Sequence, residues 1–197
     1  MILYCATTNR GKLREFELAG AAYGVEVQTV PELASLGVAP ETGETFEANA
    51  AEKALYYAAR TDGYVFVDDS GLEVDGLGGV PGVYSARYAG EGATDAANNE
   101  LVLSRLAGVA DRTARFVCVI ALARGGQLVS TFRGTVEGMI AEGPRGAYGF
   151  GYDPLFYYPP FGCTFGEVAA ERKMAVSHRG RALEQLFRYV SRECGSA

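Results

Sequence analysis

The chain has 197 residues, is 48% hydrophobic and 21% charged, and carries a net charge of −6. This is a globular composition whose acidity argues against a nucleic-acid polymer or an anionic membrane as partner, while leaving room for a small anion in a local cationic pocket. The length suits one domain spanning 1–197, with room for two lobes.

No segment reads as a signal peptide or as an apolar run near the ~18 residues of a membrane span, so a soluble cytoplasmic protein is expected. Cys5, Cys118, Cys163 and Cys194 show no C-x-x-C spacing, and Cys5 and Cys118 fall inside predicted strands as buried free thiols, which fits a reducing compartment. His178 is the only histidine. That excludes a multi-histidine zinc site, so any metal would be a hard ion on carboxylate and phosphate oxygens.

Residues 1–6 read as an apolar strand, followed by Thr7, Thr8, Asn9, Arg10, Gly11 and Lys12 and then a helix ending near Gly20. Leu13 and Phe16 give that helix its apolar face, and Asn9 is its N-cap. Strand, polar loop, lysine and helix N-terminus together make a phosphate cradle. It is not a Walker A loop, because Lys12 is followed by Leu13 and the leading glycine is missing. A capped helix with a solvated lysine accounts for this segment equally well.

Residues 26–30 read as a second strand, and the loop at 31–44 turns acidic at Glu41 and Glu44. A helix follows over 45–60, with Phe46, Ala50, Ala54 and Tyr57 as its core stripe. Lys53 falls on the same side, with Asn49 one turn before it. A lysine there must snorkel out, shift its pKa or meet an anion. The next strand, residues 64–67, ends at Asp68, Asp69, Ser70 and Gly71, so Lys53 is expected to pair with Asp68 or Asp69, or with substrate phosphate.

Ligand crevices of open α/β sheets lie beyond the carboxyl ends of the strands. Two adjacent carboxylates there repel each other and lose hydration, which calls for a cation, a proton or a lysine. Ordinary turn chemistry gives the same four residues. The glycine-rich stretch at 76–82 and the fixed cation of Arg87 add weight to a site, although Pro81 stands where a dinucleotide fingerprint needs its third glycine.

Residues 94–106 read as a helix stopping at Gly108. Strands are expected over 115–123, 127–133 and 135–140, with Gly125-Gly126 as a hairpin turn, giving an antiparallel extension or a second lobe. The glycines of 146–154 exclude regular structure. Phe150 on that loop can stack on a base, worth about 1–3 kcal/mol, or tuck onto the core. Asp153 can accept hydrogen bonds from a ring or cap the turn. Lys173 precedes Ser177-His178-Arg179, which opens the last helix, whose buried face is Leu183, Leu186, Phe187 and Val190. Cations at a helix N-terminus oppose its dipole and make sense if an anion sits between them.

Five blocks, ATTNRGK, TFEANAAEKA, DDSGLEVDGLGGVPGVYSARY, GFGYDPLF and SHRGRAL, together resemble the inosine/xanthosine triphosphate pyrophosphatase family, in the family's order and over nearly the whole chain. Thr8 stands where many members have glycine. The resemblance implies an elongated, two-lobed α/β fold with a long mixed central sheet flanked by helices and a nucleotide cleft between the lobes. It implies a homodimer that uses Mg²⁺ to split nonstandard purine nucleoside triphosphates into monophosphate and pyrophosphate. By that resemblance Thr7 to Lys12 hold the triphosphate, and Lys53, Lys173 and Arg179 neutralise it. Asp69 is the catalytic acidic residue, and Asp69, Asp68 and Glu41 are the metal contacts. Phe150, Asp153 and His178 recognise the base, Gly151 and Tyr152 are further substrate-binding positions, and Ser70 and Arg87 line the site. A phosphatase releasing orthophosphate and a non-catalytic purine nucleotide sensor are the competing readings.

Overall fold

A computed structural model describes residues 1–193 of the chain; Cys194 lies outside the described residues. The apolar segment Ile2–Cys5 forms β1, and Glu26–Thr29 forms β2 parallel to it. Between them runs α1 (Arg10–Ala21), capped by Asn9, whose side chain accepts the Lys12 N–H at 3.0 Å. A second helix, α2 (Phe46–Ala58), is capped by Thr45 and leads to β3 (Tyr64–Val74), which pairs in parallel with the other edge of β1. Parallel neighbours need such helical crossovers. Because β1 lies between β2 and β3, right-handed crossovers put α1 and α2 on opposite faces of the sheet.

The largest departure from the sequence reading is in β3. Asp68, Asp69, Ser70 and Gly71 do not end the strand but lie in the middle of its 11 residues. Their turn-forming character is local, and it is overridden by the buried residues on both sides, Val65, Phe66, Leu72 and Val74. The pairing of β1 stops at Cys5 opposite Phe66. The carboxyl end that opens next to the two aspartates is therefore that of β1, not of β3.

The second departure is β5 (Gln127–Ile140), one strand of 14 residues where a break was expected at Gly134. It is joined to β4 (Thr113–Arg124) by Gly125-Gly126. A Cβ at Gly134 would come within 2.1 Å of the His178 carbonyl oxygen. Glycine there lets the first turn of the last helix lie against the strand. With β6 (Phe156–Tyr158) and β7 (Cys163–Thr164), added antiparallel, the seven strands form one mixed sheet in the order β2-β1-β3-β4-β5-β6-β7. The remaining helices are α3 (Asp95–Arg105), capped by Thr94, α4 (Ala170–Met174) and α5 (His178–Glu193).

The chain divides into two compact units. Among the described residues the first comprises Met1–Asp69, Cys118–Gly134 and residues 178–193. Its core sets Phe16 of α1 edge-on to Phe66, with ring centroids 5.0 Å apart, and buries Leu183, Leu186, Phe187 and Val190 of α5. The second comprises Ser70–Val117 and Thr135–Ser177. Its core is built on Leu72, Val102, Phe116, Phe156 and Phe165, with Phe116 and Phe156 at 4.5 Å. Cys5 and Cys118 are buried free thiols, and Cys163 is half-buried. Among the described residues no helix is long and apolar enough to cross a membrane.

Candidate active site

Successive side chains of a strand project to opposite faces. Asp68 and Asp69 follow that rule, so each carboxylate belongs to a different set of helices. Asp68 Oδ1 accepts a hydrogen bond from Lys12 Nζ of α1 at 2.9 Å. Its Oδ2 accepts from Nε and Nη2 of Arg179, on α5, at 3.3 Å each. Arg179 Nη1 in turn donates to Glu15 Oε2 of α1 at 2.6 Å. Arg179 is only 2% exposed. Burial works against its charge, but Glu15 and Asp68 more than offset that and hold its pKa above the ordinary arginine range.

On the other face, Asp69 Oδ1 accepts from Lys53 Nζ of α2 at 2.6 Å, and the Asn49 side-chain amide stands 3.5 Å from Oδ2. The same ammonium donates to Glu41 Oε1 at 2.8 Å. Burial raises the Asp69 pKa above its usual 3.8, and the attraction of Lys53 reduces that rise without cancelling it. Burial also pulls the Lys53 pKa down, yet Asp69 and Glu41 together leave it above 10.5. The sequence reading placed two repelling carboxylates in one corner. The structure corrects this: strand alternation separates them, and each has its own cation.

Beside these groups is a cavity of about 310 Å³ at the carboxyl end of β1. Its polar wall is Thr7, Thr8, Asn9, Lys12, Glu41, Lys53 and Asp68, and its apolar wall includes Leu33, Val38 and Tyr57. Asn9 caps α1 here, so the positive end of the helix dipole points at the cavity with Lys12 beside it. Arg10 and Gly11 lie in the first turn of α1, outside the lining. The segment carrying Glu41 is tied to α2, because Tyr56 Oη donates to the Leu36 carbonyl at 2.6 Å and Tyr57 Oη to that of Gly37 at 3.3 Å.

The second unit holds another set. Lys173 Nζ donates to Asp153 Oδ2 at 2.6 Å, and the Phe150 N–H donates to the same oxygen at 2.9 Å. The ammonium stands 4.9 Å from the Phe150 ring centroid. Gly149, at φ +73°, is required, since a Cβ there would meet Asp153 Oδ2 at 2.0 Å. Tyr152 is buried and donates to the Ser85 carbonyl at 2.7 Å, and burial raises its pKa well above 10. Those contacts make it a core side chain of this unit. Arg87 is half-buried and reaches Glu91 at 3.5 Å. Ser70 is half-buried on β3, next along the strand from Asp69. His178, 3% exposed, opens α5 in the first unit.

The predicted site residues thus fall into two sets. Thr7, Thr8, Asn9, Lys12, Glu41, Lys53, Asp68, Asp69 and Arg179 come together in the first unit, and Phe150, Gly151, Tyr152, Asp153 and Lys173 in the second. Glu15 was not anticipated. The available signal was its place three residues after Lys12 and next to the buried Phe16, an acid on a face where acids need a partner.

Among the described residues no three Asp, Glu, His or Cys side chains converge tightly enough to hold a metal ion alone. Glu41 and Asp69, however, each place an oxygen within 2.8 Å of one cationic nitrogen. Two hard oxygen donors beside a phosphate-sized cavity fit Mg²⁺, which takes one or two carboxylates and fills its shell with water and substrate phosphate.

Comparison with known proteins gives the family and its fold. The Ham1 family profile matches residues 3–189. A protein of Listeria innocua named dITP/XTP pyrophosphatase is 51% identical over 183 residues, covering 92% of this chain and 90% of its own. One of the same name from Syntrophobacter fumaroxidans is 50% identical, covering 95% of this chain and 81% of its own. The solved Ham1 protein of Staphylococcus aureus superposes with a TM-score of 0.86 at 41% identity, over 97% of this chain and 98% of that one.

Proposed function

The chain belongs to the Ham1 family, and on that premise we propose that it hydrolyses nonstandard purine nucleoside triphosphates (ITP, dITP, XTP) to the monophosphate and pyrophosphate, using Mg²⁺. The dITP/XTP pyrophosphatase names of its relatives support the substrate class. The observation that carries the reading is the position of Asp69: buried, with a pKa raised by burial, and held at 2.6 Å from Lys53 beside the cationic cavity. A carboxylate with a raised pKa is a better proton acceptor than a solvated one.

In this reading the triphosphate lies along Thr7–Asn9 and the start of α1, where backbone N–H groups, Lys12 and Lys53 balance its charge. Asp69 orients and deprotonates the water that attacks the α-phosphorus, and the lysines stabilise charge on the departing pyrophosphate. When bound, Mg²⁺ would be held by Glu41 and Asp69 and would supply Lewis-acid polarisation and a template. Asp68 has another part: fixed by Arg179, which Glu15 holds in turn, it aims Lys12 at the cavity. For the base, Phe150 offers a stacking face worth about 1–3 kcal/mol. A donor to the 6-keto oxygen, from His178 or a backbone N–H, would reject adenine by about 10⁴–10⁵. We read the protein as a cytoplasmic homodimer, as the family resemblance implies, and the free buried thiols fit that compartment.

The test is a panel of purine triphosphates with Mg²⁺ and identification of the products. Pyrophosphate and monophosphate from ITP or XTP are expected. Orthophosphate as the first product would replace the mechanism, and equal turnover of ATP would end the account of selectivity. Asp69→Asn should lower kcat by at least about 10²-fold with the fold intact.

A further inference from the structure

The segment that carries Phe150 has no regular structure, yet the peptide groups on both sides of one residue in it, Gly151, are held. The Gly151 N–H donates to Asp95 Oδ2 at 2.7 Å, and the Gly151 carbonyl accepts from Asn99 Nδ2 at 2.9 Å. Asp95 and Asn99 are four residues apart on α3, so they share one face of the helix. Asn99 is 9% exposed and Asp95 is exposed. Gly151 sits at φ +61°, a conformation that the loop must be held in.

On the C-terminal side the loop is held by packing, since Tyr152 is buried in the core, but on the α3 side it faces open space. A cavity of about 530 Å³ lies between α3 and the loop, lined by Asp95, Asn99, Leu103, Tyr148 and Phe150 among others. The two hydrogen bonds to Gly151 tie the loop to the helix at the edge of that space. On its other side the loop is fixed by Asp153, which takes the Phe150 N–H and the Lys173 ammonium. Phe150 and Gly151 therefore present consecutive N–H groups to two different carboxylates, and the Phe150 ring lines the cavity.

We propose that Asp95 and Asn99 are positioning residues for base recognition: they hold the Gly151 peptide so that the Phe150 ring is fixed in one orientation before the nucleotide binds. An aromatic that is already ordered loses less conformational freedom when it stacks, which raises affinity without changing the chemical step. The inference rests on the base-stacking role given to Phe150 above, and it assigns to α3 a task that touches neither phosphate nor reacting atoms.

The test uses the full chain. Asp95→Ala should raise KM for ITP roughly threefold, and Asp95→Ala with Asn99→Ala about tenfold, with kcat changed less than about twofold. Asp95→Asn keeps an acceptor oxygen and should restore KM. Inhibition by pyrophosphate, which has no base, should be unmoved in every variant. A fall in kcat matching the rise in KM, or weaker pyrophosphate inhibition, would overturn the proposal. The chain has no tryptophan, so Phe150→Trp places a single reporter on the loop. Its fluorescence anisotropy should drop when Asp95→Ala and Asn99→Ala are added, and an unchanged anisotropy would overturn the proposal whatever the substrate proves to be. A drop in anisotropy without any base-dependent KM change would instead count against Phe150 as the base-stacking side chain.

Discussion

The two units each contain a lysine–aspartate pair with the same separation and very different surroundings. Lys53–Asp69 and Lys173–Asp153 both close to 2.6 Å. The side chains of the second pair are 3% and 2% exposed, while those of the first are 12% and 11% exposed and share the ammonium with Glu41, which is 32% exposed. A sealed pair has little room to send its charge elsewhere. A pair at the wall of a cavity can exchange partners with a ligand, so it can do chemistry. Equal geometry thus carries unequal meaning, and water access decides which is which.

The contrast breaks most visibly in stability. Lys173→Met leaves Asp153 buried without its cation, and should cost about 3–5 kcal/mol. Lys53→Met should cost less than half of that, because Asp69 can take up a proton or meet solvent. Urea denaturation of both variants measures the difference, and equal losses would remove the distinction.

The next effect is in pH. Lys53 is the main group that holds the Asp69 pKa down, with Lys12 adding to it, so removing Lys53 should move the acid limb of kcat/KM upward. Activity needs the ionised form of Asp69, so the limb rises with pH in both proteins, later in the variant. The linkage to stability has two signs. The folded Asp69 keeps a proton above 3.8 that the unfolded chain has released, so its contribution is full at acid pH and fades as pH rises through the folded value. Lys53 contributes fully below 10.5 and loses its contribution as pH rises through its raised folded value.

The smallest effect concerns Glu41, the acid that makes the open pair a triad. Glu41→Gln should raise the Mg²⁺ concentration for half-maximal activity by roughly tenfold with little change in kcat at saturating metal. A metal titration that superimposes on the parent's would remove Glu41 from the metal's shell.

Much of this was legible in the chain itself. Helical periodicity located α1 and α2, because their apolar positions and caps are local features: Asn9 and Thr45 each cap the helix that follows. The pairing of Lys53 with an aspartate was readable because a cation at i+7 from Phe46 cannot stay on a buried stripe alone. The role of Arg179 was not readable. Its sequence position at the start of a helix suggested an anion, and the anions it meets are Glu15 and Asp68, brought to it by packing of α1 against α5.

The sequence by itself determined where α1, α2, α3 and α5 would lie, that Gly125-Gly126 would turn a hairpin, and that Asp68 and Asp69 needed compensating charge, since all of these follow from side-chain chemistry within a few neighbours. The tertiary structure alone decided that β3 runs on through both aspartates and sends them to opposite faces. It also decided that one lysine–aspartate pair is sealed and the other open, and that α3 holds the peptide after Phe150. These outcomes depend on burial and on contacts far apart in the chain, which no local pattern encodes.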